Sequence, residues 1–159
     1  MPLTRIKSLG ITDGTITAAD FASGVGGKVL QVITATDSTG RTTTSTSFVT
    51  GSNTLSVTIT PSSASNKIYV LVSGNMQSVG SQDTYYTIYR GATNLGNVNN
   101  GFVYLLGYTY AGQCMSYLDS PSSTSALTYQ VYMKTDSGGT ARIPTGTSTA
   151  SITCFEIAG

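Results

Sequence analysis

Side chains that commonly carry out chemistry are scarce in this chain. It contains no His, one Glu, six Asp and two Cys. Without His, neither a Ser-His-Asp nor a Cys-His nucleophilic arrangement can form. A pair of carboxylates of the glycosidase kind remains available, because carboxyl groups distant in sequence can meet in a fold. The candidates for such a pair in the later part of the chain are Asp83, Asp119, Asp136 and Glu156.

Each of these carboxylates also has a simpler, structural interpretation. Asp83, Asp119 and Asp136 lie in turn contexts, where an Asp side chain accepts hydrogen bonds from nearby backbone N–H groups. Glu156 lies between Phe155 and Ile157 in the last strand-like segment, and we expect its charge to be exposed to water. We therefore predict that the chain has no catalytic residue and is not an enzyme.

The sequence also predicts no metal site and no cofactor. Two thiols without CxxC spacing, in a chain that lacks His, cannot complete a four-ligand zinc site. The glycine-rich GVGGK at residues 24–28 lacks the GxxxxGK[ST] spacing of a phosphate-binding loop and is better read as a hinge. Cys114 and Cys154 lie in strand-like segments and are expected to be reduced, buried thiols, with a disulfide as the alternative.

The composition narrows the class of protein further. Charged residues make up 9% of the chain and its net charge is +1, whereas Ser and Thr supply 48 of the 159 residues. With no cluster of Lys and Arg, nucleic acid is not an expected partner. The longest apolar runs are far shorter than the roughly 20 residues that span a membrane, and we expect no membrane insertion. Residues 1–10 also lack the apolar stretch of a secretory signal, so we expect synthesis in the cytoplasm.

Most of the chain has the patterns of β-strands. In TLSVTIT, residues 54–60, apolar and hydroxyl side chains alternate as they do in a strand with one buried face. Turn residues such as Pro61, Gly91 and Gly101 separate short segments of this kind. About ten strands without a helical pattern predict an all-β fold, an antiparallel β-sandwich of jelly-roll type. The predicted strands are 29–35, 42–49, 54–60, 67–74, 84–90, 102–110, 113–118, 127–134, 140–143 and 151–157.

One predicted strand is apolar on both sides. Residues 68–72, IYVLV, do not alternate, so both faces need cover from a second sheet and a loop, or from another copy of the chain. Tyr side chains occur on both faces of neighbouring strands. Three roles remain open for them: sandwich core, subunit interface, or a surface that stacks on glycans. The candidate interface residues are Ile68, Tyr69, Val70, Leu71, Tyr85, Tyr89 and Tyr132.

The first part of the chain differs from the rest. Residues 1–27 have few large apolar side chains and end in a glycine-rich stretch. A hairpin around Asp13-Gly14 and one helical turn in TAADFA are predicted there, and neither is large enough to be stable alone. We therefore predict an extended N-terminal arm, residues 1–27, followed by a β-sandwich domain, residues 28–159. The arm is expected to order against its own copies or a docking protein, or else to remain mobile.

Several local sequences resemble those of β-rich virion proteins of tailed bacteriophages. They are KVLQVITAT, TSTSFV, SVTITPSSASNKIYVLVSG and the terminal TASITCFEIAG, preceded by an arm of the DGTITAADFASG kind. The resemblance covers nearly all of residues 11–159 and rests on structural, low-complexity motifs. It implies a virion location and a homotrimeric fibre or knob. Residues 1–27 would then bind other virion proteins, with the sandwich facing outward.

Two other functions remain open. The first is a receptor-binding module that recognises glycans of the host surface through exposed loops, where amide groups donate hydrogen bonds and an aromatic ring stacks. The second is a cellular carbohydrate-binding β-sandwich. The candidate binding residues are Asn94, Asn97, Asn99, Asn100 and Phe102.

Overall fold

The computed structural model describes residues 28–159, which form two six-stranded antiparallel sheets and no helix. The predicted arm, residues 1–27, lies outside the described residues. The strands are β1 Val29–Asp37, β2 Arg41–Thr43, β3 Val49–Thr50, β4 Ser56–Ile59, β5 Lys67–Val79, β6 Thr84–Arg90, β7 Thr93–Asn94, β8 Val103–Leu105, β9 Tyr110–Asp119, β10 Leu127–Thr135, β11 Thr140–Ile143 and β12 Ala150–Ile157.

Sheet A is built around the long strand β5. The first half of β5 pairs with β12 on one side, which in turn pairs with β1, while β9 runs along the other side of β5. Beyond Ser73, β11 takes over from β12 and carries β2 at its far edge. Over its first half the sheet therefore has the order β1-β12-β5-β9.

Sheet B is centred on β10 and β6. Strands β3 and β4 pair with one side of β10, and β7 and β8 pair with the far side of β6. Its four principal strands have the order β4-β10-β6-β8. The eight principal strands of the two sheets, numbered 1 to 8 along the chain, are β1, β4, β5, β6, β8, β9, β10 and β12. In these numbers sheet A has the order 1-8-3-6 and sheet B the order 2-7-4-5. This is the strand order of a jelly roll. The predicted fold class is confirmed.

The core between the sheets follows the alternation of the sequence. In β4 and the residue before it, Leu55, Val57 and Ile59 are almost fully buried, as the TLSVTIT pattern predicts. In β5 the side chains of Ile68 and Val70 are fully buried in this same core. These two residues are covered by sheet B of their own chain, so the interface prediction does not hold for them.

Two predicted strands are interrupted in the structure, while β5 and β9 extend beyond their predicted bounds of 67–74 and 113–118. Residues 42–49 were expected to form one strand, but they hold the end of β2 and the start of β3, which belong to different sheets. The Ser/Thr tract between them carries the chain across, and the Ser45 hydroxyl bonds the backbone of Ser47. Residues 102–110 hold only the short β8 before a loop at 106–109. Within the described residues, no helix is long and apolar enough to cross a membrane.

Candidate functional site

Asp119 joins the two sheets through an ion pair whose carboxylate is buried and whose guanidinium is partly exposed. It is the last residue of β9 in sheet A, and both of its carboxylate oxygens accept from Nη1 of Arg90 in β6, at 2.8 and 2.6 Å. The hydroxyl of Tyr129 in β10 donates to the same carboxylate at 2.6 Å. Burial and this hydrogen bond raise the pKa of Tyr129. The turn-capping role expected for Asp119 is wrong, and its carboxylate is saturated by structural partners.

Glu156 is buried, contrary to the expectation of exposure. Its side chain points inward from β12 at a relative exposure of 1%. The carboxylate accepts hydrogen bonds from Gln31 at 2.6 Å, from the backbone N–H and hydroxyl of Ser62, and from Asn66 at 2.5 Å. Burial raises the pKa of Glu156, but these hydrogen bonds outweigh it and lower the pKa to about 2. Glu156 thus fastens the loop after β4 to strands β12 and β1 of sheet A.

Among the four candidate residues, Asp83 and Asp136 are joined through their backbones. The backbone N–H of Asp136 donates to the carbonyl oxygen of Asp83 at 3.0 Å. The hydroxyl of Tyr104 donates to Asp83, and that of Tyr85 donates to Asp136 at 3.2 Å. The hydrogen bond to Asp83 raises the pKa of Tyr104 to about 12, so this phenol remains a donor at neutral pH. Each carboxylate therefore has a tyrosine partner.

The two cysteines lie on opposite sides of sheet A. Cys154 faces inward opposite Val70 and is fully buried, and burial raises the pKa of its thiol to about 12. Cys114 lies opposite Ser73 on the outer side and is exposed. Both thiols are free, as predicted, but only Cys154 has the buried position that was expected for both.

In the asparagine loop after β6, residues 94–100, the side chains of Asn94 and Asn97 form hydrogen bonds with the backbone of the loop and with Thr87. The side-chain oxygen of Asn94 accepts from the Thr87 hydroxyl at 2.6 Å and from the N–H of Gly96, and that of Asn97 accepts the N–H groups of Asn99 and Asn100. Asn97, Asn99 and Asn100 are exposed, and Phe102 packs on Tyr117 with ring centroids 5.8 Å apart. Phe102 is half-buried. Of the predicted binding residues, Asn94 and Asn97 serve chiefly to shape the loop.

An exposed apolar tip was missed by sequence reasoning. Residues 106–109, the tip loop, form a turn in which the N–H of Thr109 donates to the Leu106 carbonyl at 3.2 Å, and Leu106 and Tyr108 are 62% and 79% exposed. Tyr108 has φ of 58°, a left-handed conformation that is costly for a residue with a Cβ. A Cβ on Gly107 would collide with the Ser81 backbone. Gly107 was the available signal for a turn here.

The outer face of sheet B carries an aromatic cluster whose members contact one another. Tyr89 and Tyr132 stack with ring centroids 3.9 Å apart, and Phe48 packs on Tyr89 at 6.3 Å. The ammonium group of Lys134 lies 5.1 Å from the ring centre of Phe48 and 4.7 Å from that of Tyr85. We call this set the aromatic cluster: Phe48, Tyr85, Tyr89, Tyr104 and Tyr132, with Lys134.

The outer face of sheet A carries an apolar row that crosses four strands. Val32 of β1 lies opposite Phe155 of β12, which lies opposite Tyr69 of β5, which lies opposite Leu118 of β9. Val32 and Leu118 are 53% and 50% exposed, and the other two are half-buried. Leu71 is the next outward residue of β5. Tyr69 and Leu71, both candidate interface residues, therefore lie on this outer face.

No group of three or more His, Cys, Asp or Glu residues that could hold a metal ion occurs in residues 28–159. Two clefts in that region are open to solvent and lined mainly by polar groups. One of about 410 Å³ is lined by Ser73, Asn75, Gly112 and Cys114, among others, on the outer side of sheet A. Neither a protein-family model nor a curated protein sequence matches the chain.

Proposed function

We propose that this chain is a structural protein of a tailed-bacteriophage virion, which assembles as a homotrimeric fibre or knob and performs no catalysis. The observation that carries the proposal is the apolar row, Val32, Phe155, Tyr69 and Leu118, on the outside of a finished jelly roll. The sandwich core is already closed by sheet B, so these side chains lie outside it. Tyr69 and Phe155 pack on each other with ring centroids 6.0 Å apart, while Val32 and Leu118 remain about half exposed. Exposed apolar surface of this kind is typical of a protein–protein contact.

The polar groups of the protein support a structural role. Asp119 and Glu156 are fully engaged in holding strands together, and Asp83 and Asp136 each accept a tyrosine hydroxyl. Charged residues are 9% of the chain, whereas Ser and Thr make up 48 of its 159 residues, so hydroxyl side chains outnumber charged ones.

The sandwich has two distinct ends, which suits a fibre or knob. The described chain begins at Lys28, whose carbonyl accepts from Ala158 beside the start of β5. The tip loop lies beside the other end of β5, where the N–H of Tyr108 donates to the Gly80 carbonyl. Thirteen residues of strand separate these ends by about 40 Å. Residues 1–27 would thus bind the particle while the tip loop faces outward.

The proposal is tested by sedimentation of the purified full-length protein and by assembly of mutant particles. We expect a trimer at micromolar concentration, and a folded monomer would overturn the proposed assembly. We also expect that a variant lacking residues 1–27 folds but is not incorporated into virions. Normal incorporation of that variant would refute the anchoring role of residues 1–27.

Contact with the host surface is a second candidate function, supported by the exposed tip loop. Tyr108 is held in a strained backbone conformation and presents its ring to solvent, as a binding residue would. We expect the purified protein to adsorb to host cells, and the Tyr108→Ser variant to lose adsorption while the Asn99→Ser variant keeps it. Equal adsorption of the Tyr108→Ser variant would exclude the tip loop as the contact.

A further inference from the structure

We propose that the outer face of sheet A lines the three-fold axis, so that each copy's apolar row packs against those of the two other copies. The inference rests on the proposed trimer. It adds which face of the chain forms the contact and which residues of neighbouring copies meet there. Edge strand β9 of one copy then lies beside edge strand β1 of the next. Leu118 of the first copy faces Val32 of the second, and Tyr69 and Phe155 point toward the axis.

The width of the face suits three copies. At the apolar row sheet A is four strands wide, β1-β12-β5-β9. Four strands spaced about 4.8 Å apart make a face about 19 Å wide, and three such faces closed into a triangular prism lie about 5.5 Å from its axis. The distance from each sheet to the axis is thus roughly half of the ~10 Å that separates two sheets packed face to face. Side chains of ordinary length thus fill the prism.

The charge pattern favours a second copy over a different partner. Along the outward positions of β5, from Lys67 to Gln77, Lys67 is the one charged side chain, and it stands at the end of the face. Arg142 stands at the other end, opposite Gln77 on β11. Between them lie apolar, hydroxyl, amide, thiol and glycine positions. A face that meets copies of itself must avoid like charges, and interface centres are depleted in charge.

The outer face of sheet B is less suited to this contact. Its aromatic rings already stack on one another, and Lys134 lies between Phe48 and Tyr85. Packing copies through this face would bring three ammonium groups into the contact. Tyr85, Tyr89 and Tyr132 are therefore explained by contacts within the chain, and Tyr69 and Leu71 are the predicted interface residues that we retain.

The register is tested by cross-linking with thiols placed at the proposed contact. In a Cys114→Ser background, the double variant Val32→Cys/Leu118→Cys is treated with a short bismaleimide. The native Cys154 thiol is fully buried and does not interfere. We expect covalent dimers and trimers on a denaturing gel and nothing larger. Each single Cys variant serves as a matched control and should remain almost entirely monomeric on the gel.

Sedimentation of the same variants separates the inference from the proposed function. Absence of cross-linked species from a protein that sediments as a trimer would overturn the proposed face but leave the trimer intact. A ladder that stops at the dimer would replace the three-fold arrangement with a two-fold one. If the unmodified protein sediments as a monomer, the proposed assembly itself fails.

Discussion

The outer faces of the two sheets expose comparable sets of large side chains but complete their contacts differently. On sheet B, Tyr89 and Tyr132 stack at 3.9 Å and Lys134 lies over Phe48 and Tyr85, so the aromatic cluster is internally partnered. On sheet A, Val32 and Leu118 stand about half exposed at the two ends of a continuous apolar row. Large apolar side chains can thus contact one another within the chain on one face and remain partly exposed, and so available to a neighbour, on the other.

The largest expected effect comes from a charge in the apolar row. Leu118→Glu should leave the chain folded, because this side chain is 50% exposed, yet it should abolish the trimer at micromolar concentration. The reason is that burying an unpaired carboxylate in an apolar contact is costly. Sedimentation combined with circular dichroism measures both properties. Leu106→Glu is the matched control, and its dissociation to the same extent would contradict the assignment of the sheet A face.

The neighbouring residue in β9 should show the opposite behaviour. Asp119→Ala leaves the Arg90 guanidinium and the Tyr129 hydroxyl without their shared partner, so we expect the chain to lose about 3 kcal/mol of unfolding free energy. Urea denaturation of a variant kept monomeric by Leu118→Glu measures this loss without a contribution from assembly. Asp119→Asn keeps a hydrogen-bond acceptor and should lose less. Equal losses in the two variants would contradict this expectation and show that the charge of the carboxylate, rather than its capacity to accept a hydrogen bond, carries the stabilisation.

Acid should weaken the attachment of the loop after β4 to sheet A. The pKa of Glu156 is about 2 in the folded chain against 4.5 as its ordinary value, so its ionised form stabilises the fold above about pH 4.5. That stability is lost as the pH falls toward 2. Thermal melting at a series of pH values from about 6 to about 2 measures this loss of stability. Glu156→Gln should melt lower at pH 6 with a flatter pH profile.

Asp37 contributes to the same acid response and must be separated from Glu156. Burial raises the pKa of Asp37, but hydrogen bonds from Ser52, Thr54, Thr39 and Arg41 outweigh it and lower the pKa. Some pH dependence should therefore persist in Glu156→Gln. A pH profile unchanged from that of the unaltered protein would show that Glu156 is not stabilised as its hydrogen bonds imply.

The smallest effect is expected on the aromatic cluster. Tyr89 and Tyr132 should be coupled by about 0.5–1.5 kcal/mol in a double-mutant cycle with Tyr89→Leu and Tyr132→Leu. Both single variants should keep the trimer, because these rings contact each other within one chain. Urea denaturation gives the coupling and sedimentation gives the assembly. Dissociation of either variant would move the interface to sheet B.

The sequence predicted the elements that depend on local alternation. The TLSVTIT strand and the bounds of β6 and β11 follow from period-2 patterns and turn residues. The apolar run of β5 was harder to interpret, because its outer positions Tyr69 and Leu71 are apolar as well, which hides the alternation. Its inner positions nonetheless fill the core in the ordinary way.

The features that could not be predicted depend on distant partners. Glu156 is ionised and buried because Ser62 and Gln31, 94 and 125 residues away in sequence, supply donors to it. No local pattern encodes that meeting. The sequence predicts strand at the tip loop because apolar residues continue from Val103 to Leu106. The turn there depends on the close approach of Gly107 to the backbone of Ser81, a contact that no local pattern predicts.

Strand β5 has a mechanical consequence. It runs the whole distance between the end where Lys28 enters and the tip loop, and ten of its residues pair in register with β9. A pull between the two ends acts along β5, at right angles to the antiparallel hydrogen bonds of that ladder. The bonds are then loaded in shear and share the force, instead of opening one after another as in a zipper. The protein should resist traction along this axis far better than peeling at an edge.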